Sequence, residues 1–482
     1  MREIVSQDVV SDPLTLRVVS IGKERQLQVL AKSVQSFHDF EGVAGEHAGG
    51  SILTGPLTPT NAVAVRRHMP WLRPKPVGLK LSAGVGDRLG LATPGHALAF
   101  RNHGKAITPV FAQQSAREMD RLERSPQDVM DDATFGLVEA GWDQEFGSDA
   151  DHLKTTQDID RCLMAGFTSF TLDPGEYVRV VPATFTGDLS EVPWSSLEDD
   201  EPALMRRYAE EKLDLGHSSL KIGDAELRHA AYKYGPAVAY TVKMYRHLMA
   251  RADYPIEVEV AVDETEEPTT LAEHLYLAIE MKRLGMKWVS FAPRYLDGFE
   301  KGVEFRGDIK SFADSLRDHS AIASALGPYK LSLHSGSDKF SLYALAAEAT
   351  KGLLHLKTSG TSYLEALGVA ATCAPSLFRE IYDVSRDAYQ GARSTYQVSA
   401  DIEKTRLSRD VADTDLYELL TEFNSRQMLH VGYGAVLTLR DQNGKRRLND
   451  ELKAMLITES ARYNQALEAH IGKHLAPLRG VA

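Results

Sequence analysis

Eight short β-rich runs recur between residues 77 and 357, each ending in a cluster of polar residues and followed by a helix-like stretch. They are Val77–Ser82, Ile107–Ala112, a weak run around Phe146–Ser148, Thr168–Leu172, Ile256–Val262, Trp288–Ala292, Lys330–Leu333 and Leu353–Leu356. Helical periodicity fills the gaps. Over Thr270–Leu284, for example, Leu271, His274, Leu275, Ala278 and Met281 form one stripe, with Glu273, Glu280 and Lys282 around it. Glycines such as Gly166 and Gly285 stand between a helical segment and the next strand, where a helix end turns left-handed. Strand–helix alternation implies parallel crossovers and an α/β fold. Eight such units fit a closed (β/α)8 TIM-like barrel better than an open sheet.

The pattern divides the chain into three expected regions. Residues 1–75 form a small α/β cap, with a β-like run at Leu14–Ile21 and a helix-like stretch at Ala62–His68. Residues 76–360 form the barrel, and 361–482 a helical C-terminal extension. An insertion at about residues 175–250, between the fourth and fifth strands, is too long for a simple crossover and carries a helix at Ala225–Met249. A core of this size needs no disulfides. The only cysteines, Cys162 and Cys373, lie far apart without a CxxC pattern, which excludes a disulfide scaffold or a cysteine-based zinc site. The net charge of −12 argues against a nucleic-acid partner. No apolar run reaches the roughly 18 residues of a membrane span. The acids among the first eight residues do not suit a signal peptide, so the expected location is the cytoplasm. Gly84-Val85-Gly86 lacks the third glycine of a dinucleotide fingerprint, and P-loop, GxSxG and HExxH motifs are absent from the sequence.

A barrel collects the C-terminal ends of its strands on one rim, where active sites sit. Here that rim holds Asp87-Arg88, Gln113-Gln114, Asp149, Asp151-His152, Asp173, Glu259, Asp263-Glu264, Arg294, His334, Lys339, His355 and Lys357. Histidines mixed with carboxylates suit a divalent metal held from several strand ends. Plainer readings compete at single positions. Asp151-His152 also suits a helix cap before Thr155, and Ser335-Gly336-Ser337 also suits a tight turn. The latter equally offers N–H groups and hydroxyls to an anion, with Lys339 beside it. Glu259 alternates with Val258 and Val260, so it points into the barrel, which favours a chemical role or a cation partner. Arg426 and His430 in the tail are within conceivable reach of the rim, but spacing alone does not put them there.

From about Val77 to His474 the chain resembles the tagaturonate epimerase family, whose members interconvert tagaturonate and fructuronate; some relatives are described as ketose 4-epimerases of tagatose and fructose. The resemblance rests on Gly86-Asp87-Arg88-Leu89-Gly90 with Thr93-Pro94, Phe111-Ala112-Gln113-Gln114-Ser115, Asp131-Asp132-Ala133-Thr134 and Phe146–Lys154. It continues through Glu259–Glu266, Leu333–Phe340, Lys357–Ala366, and Arg426-Gln427 with His430. Ser148 stands where Ala is expected, and the first 75 residues match loosely. The resemblance implies a divalent metal, with zinc, manganese, nickel and cobalt all open. Carried over by motif, it implies Asp151 as proton acceptor, Glu259 as proton donor, and His152 and His334 as metal ligands. His355, at the eighth strand end, is read as a further ligand, and Arg88, Gln113, Ser335, Lys339 and Lys357 as substrate-binding residues. Adjacent residues on a regular strand face opposite ways, so Asp151 and His152 together require an irregular strand end. Because the carbon inverted in that reaction lies β to the ketone and its C–H is not acidified, the chemistry expected is a retro-aldol epimerisation of a sugar acid. Rival readings are a metal-dependent aldolase or isomerase of another sugar acid and a catalytically silent sugar-binding barrel; a homo-oligomer is left open.

Overall fold

The computed structural model describes residues 3–210, 212–216 and 219–481. Met1 and Arg2, part of the N-terminal stretch read for a signal peptide, lie outside the described residues, as does Ala482.

Eight parallel strands close into a barrel: β1 (Ser82–Gly86), β2 (Thr108–Ser115), β3 (Gly147–Leu153), β4 (Ser169–Leu172), β5 (Glu257–Ala261), β6 (Ser290–Ala292), β7 (Lys330–Leu333) and β8 (Leu354–Thr358). Each pairs with the next, and β8 closes on β1 with His355 opposite Ser82 and Lys357 opposite Gly84. This is the (β/α)8 architecture expected from the alternation of elements.

The first strand differs from expectation. Pairing begins at Ser82 rather than Val77, because the chain before it turns at Gly78, whose φ is +63°. The amides of Val77 and Gly78 donate to the Glu257 carboxylate, at 3.0 and 2.6 Å, where the expected strand would donate to a neighbouring strand. The third strand is longer than its sequence suggested. Its register slips against β2 between Val110 and Ala112 and against β4 between Phe170 and Leu172. His152 has a φ of +51°, a left-handed conformation uncommon outside glycine. That is the irregular strand end that Asp151 and His152 require.

The N-terminal region is an antiparallel six-stranded sheet built from residues 3–55, with Leu14–Ile21 as an inner strand. Helix Pro59–His68 follows; it starts earlier than its apolar pattern because Thr58 caps the Asn61 amide and Pro59 occupies its first position. Between β4 and β5 the insertion carries helix Asp224–Arg251. Lys233 on this helix ties it to helix Leu271–Arg283 by a 2.8 Å ion pair with Glu273. After β8 come five long helices, which surround a second apolar core containing Leu364, Leu367, Phe378, Leu429 and Leu452. One of them, Phe423–Thr438, crosses the C-terminal rim of the barrel, where Arg88 donates to the His430 carbonyl at 2.9 Å. No helix among the described residues is long and apolar enough to cross a membrane. Both cysteines are free thiols.

Candidate active site

Period-two alternation aims Asp149 and Asp151 (β3), Thr171 (β4), Glu259 (β5) and Lys357 (β8) into the barrel. The Lys357 ammonium lies 2.7 Å from Asp149, 2.7 Å from Asp151 and 2.8 Å from Glu259, and donates to Thr171 at 2.8 Å. Burial alone disfavours a charged amine, but these three carboxylates hold Lys357 well above the usual lysine range. Burial likewise raises Asp151 and Glu259. Lys357 with the nearby histidines more than reverses this and holds both carboxyls below the usual range. One ammonium does not neutralise three carboxylates, and Asp149, the remaining member, is pushed up to about 6, chiefly by burial.

Above this layer two imidazoles face each other. Nε2 of His152 and Nδ1 of His334 are 3.1 Å apart. Their outer nitrogens are each fixed by a carboxylate: His152 Nδ1 by Asp173 at 3.0 Å, and His334 Nε2 by Glu259 at 2.6 Å. That is the orienting arrangement typical of metal-ligating histidines. Asp263 Oδ1, buried without a hydrogen-bond partner, lies 3.1 Å from His334 Nδ1 and 4.0 Å from His152 Nε2. Burial lowers both histidines, yet the surrounding acids, Asp151 and Asp263 foremost, raise His152 to about 10, and Asp263 with Glu259 raises His334 to about 9. Two facing ring nitrogens share at most one proton in a single hydrogen bond. A field this negative around two converging nitrogens fits a divalent cation, and Asp151, His152 and His334 are a group whose ligand atoms lie close enough together to hold one.

A small rim pocket lies against this group. Asp151, His152, His334, Ser335, Lys357, Gln113 and Arg88 all line it. Gln113 is buried with both amide atoms unpartnered, so it has hydrogen bonds to offer a ligand. Ser335, at a φ of +52°, shapes the turn beside His334. Arg88 is present but engaged: Nε and Nη2 donate to Glu118, Nη1 to the His430 carbonyl, and its guanidinium lies 3.6 Å from the centre of the Tyr433 ring. Gly360, at a φ of +89°, makes this possible, since a Cβ there would meet Arg88 Nη2 at 2.6 Å.

The structure brings three of the sequence-predicted residues elsewhere. Glu259 lies behind His334 and Lys357 and does not line the rim pocket. His355 sits two residues before Lys357, so it points inward but deeper, with Nδ1 2.9 Å from Ser82 Oγ. Burial, with the Lys330 charge, drives His355 down to about 3, so it is neutral, but it does not join the facing pair. Lys339 is spent on backbone: it donates to the carbonyls of Glu300, Val303 and Ser337 at 2.8, 2.6 and 3.0 Å. Conversely, the pocket includes Arg117, Glu118, Lys301 and Tyr396, none of which the rim reading contained. Ser115-Ala116-Arg117-Glu118 has the spacing of a helix-start signature, and Ser115 Oγ does accept from the Glu118 amide, so that signal was available.

A second histidine–carboxylate group, Asp338 with His470 and His474, lies beyond the rim. There His474 Nε2 accepts from the Asp338 amide at 3.0 Å and Nδ1 donates to the His470 carbonyl at 2.9 Å, so both ring nitrogens are used. With Arg426 on Asp338 at 2.6 Å, this network docks the loop after β7 onto the C-terminal helices.

Comparison with known proteins fits this geometry. The family model for tagaturonate epimerase matches residues 10–478. The tagaturonate/fructuronate epimerase of Thermotoga maritima is 38% identical over 426 residues, 87% of this chain and 85% of its own length. The crystal structure of fructuronate-tagaturonate epimerase UxaE from Cohnella laeviribosi superposes with a TM-score of 0.90 at 32% identity, covering 98% of this chain and 95% of that one. A complex of the same Cohnella protein with two glycerols superposes at 0.89 with 32% identity. On a barrel with this rim, and with likeness running almost end to end, the chain belongs to the tagaturonate epimerase family and is an isomerase of the epimerase class.

Proposed function

We propose that the chain interconverts tagaturonate and fructuronate with a divalent metal, by breaking and re-forming one carbon–carbon bond. The observation that carries this reading is the facing His152–His334 pair beside Asp151, with Lys357 joining Asp151 to Glu259. The two substrates differ at the carbon β to the ketone, whose C–H the carbonyl does not acidify, so simple deprotonation there is slow. A divalent cation would be held by His152 and His334 with a carboxylate beside them, Asp151 or Asp263, and would supply Lewis-acid polarisation of the ketone. Asp151, ionised and lining the pocket, accepts the proton of the hydroxyl on the inverting carbon. The bond between that carbon and its neighbour breaks, leaving a three-carbon enediolate and an aldehyde that carries the carboxylate. After the aldehyde turns its other face the bond re-forms, and the new alkoxide takes up a proton. Glu259 acts through Lys357, whose ammonium contacts both Glu259 and Asp151 and lines the pocket, so Lys357 presents that proton. Gln113 and Ser335 offer hydrogen bonds to the sugar hydroxyls.

Chelation followed by dialysis is expected to abolish epimerisation of fructuronate, followed by NMR, and to lower the Tm. Both should be restored by one equivalent of a divalent ion, since a ligand that binds only the folded state stabilises it by mass action. Full activity in demonstrably metal-free protein would sink the reading. Trapping of a three-carbon fragment would support the bond-cleavage route.

A further inference from the structure

We propose that Lys301 is the binding subsite for the substrate's carboxylate, an inference that rests on the uronate reading above. An anionic substrate approaching a chain of net charge −12 needs a local cation whose charge is not already spent. The rim pocket holds four lysine and arginine side chains: Arg88, Arg117, Lys301 and Lys357. Arg88 is paired with Glu118, Arg117 with both oxygens of Glu264 (2.6 and 3.1 Å), and Lys357 with three carboxylates. Lys301 alone of the four has no carboxylate within ion-pair distance among the described residues. It is half-buried at the lip, where a flexible ammonium reaches a ligand while staying hydrated.

The backbone around Lys301 is fixed by side chains from two other elements. Lys301 lies in the long segment between β6 and helix Ile309–Leu326. From below, Lys339 binds the carbonyls of Glu300 and Val303 on either side of it. From above, Arg426 Nε donates to the Gly302 carbonyl at 2.7 Å, and Gln427 Nε2 donates to the Glu300 carboxylate at 2.8 Å. Lys339, which the rim reading assigned to substrate, therefore serves the subsite by fixing the loop that presents Lys301.

The test is steady-state kinetics of the metal-loaded enzyme on tagaturonate, comparing wild type, Lys301→Met and Lys301→Arg across a range of ionic strength. Loss of one charge-assisted contact made equally to substrate and transition state predicts a KM rise of about 10- to 100-fold with kcat within about threefold. The arginine variant should recover most of the KM. The salt dependence of kcat/KM should flatten in the methionine variant, a change that a merely structural role would not produce. A KM that moves less than about threefold in Lys301→Met, or a fall in kcat with KM unmoved, overturns the subsite while leaving the uronate reading intact. Absence of tagaturonate turnover by wild type overturns both.

Discussion

Replacing Asp151 with asparagine is expected to lower kcat by about 100- to 10,000-fold, the contribution usual for a positioned proton acceptor. Because the equilibrium constant belongs to the two sugar acids, kcat/KM must fall by the same factor in both directions, which checks the measurement internally. Metal content separates this role from that of a ligand. Asp151 groups with His152 and His334, its Oδ1 3.9 Å from His152 Nε2, but Asp263 Oδ1 stands 4.0 Å from the same nitrogen and 3.1 Å from His334 Nδ1, so Asp263 remains to complete a ligand set when Asp151 is replaced. Asp151→Asn should therefore retain its metal while losing turnover, and His334→Ala should lose both. The fold should survive, because Lys357 keeps Asp149 at 2.7 Å and Glu259 at 2.8 Å. Activity within threefold of wild type, or metal lost in step with activity, would remove Asp151 as the base.

The parts of this site legible in the sequence are those that strand periodicity controls. Asp151, His152, Glu259, His334 and Lys357 stand at or beside strand ends, and closure of the barrel makes Asp151 and Lys357, 206 positions apart, direct neighbours. Periodicity tells which face a residue occupies but not its depth. His355 and Lys357 share a face, yet His355 lies below the chemistry, against Ser82. It is equally silent on what meets a side chain once it arrives. Lys339 looked like an anion-binding cation, but three carbonyls from its own loop and a neighbouring one already take its protons. The third strand was hard to see because a barrel interior that holds chemistry is polar, so Gly147-Ser148-Asp149-Ala150-Asp151 reads as a loop although every residue of it is buried. The first strand erred the other way: Val77–Leu81 has more β character than Ser82–Gly86, and the decisive competitor was Glu257, remote in sequence, which captures two of its amides. Lys301 sits in a loop without periodicity, so nothing in the local sequence marks it.

Lys357→Met should be the most damaging single substitution in the barrel interior. It leaves Asp149, Asp151 and Glu259 buried around an apolar side chain, and removing one partner of a buried ion pair costs about 3–5 kcal/mol, more when several charges depended on it. The pH dependence gives the cause. In wild type the Lys357 ammonium helps hold the Asp151 and Glu259 carboxyls below their usual range. The folded state then binds fewer protons than the unfolded chain, and these groups stabilise it above pH ~4, their contribution fading as pH falls further. Without the ammonium, burial and mutual repulsion among three carboxylates dominate, as burial already does at Asp149, pushed up to about 6. The variant's folded state then binds more protons than wild type near neutrality, so its stability must rise more steeply as pH falls from about 7 towards 5 than that of wild type, where Asp149 alone of the three carboxyls is pushed up. Denaturant melts at pH 5, 6 and 7 read this directly. Turnover should be lost at all three, because the group that presents the returning proton is gone and Asp151 is no longer held ionised. A variant whose stability changed with pH no more steeply than that of wild type would show that the three carboxylates do not depend on Lys357, and the proton path drawn between Asp151 and Glu259 would fall with it.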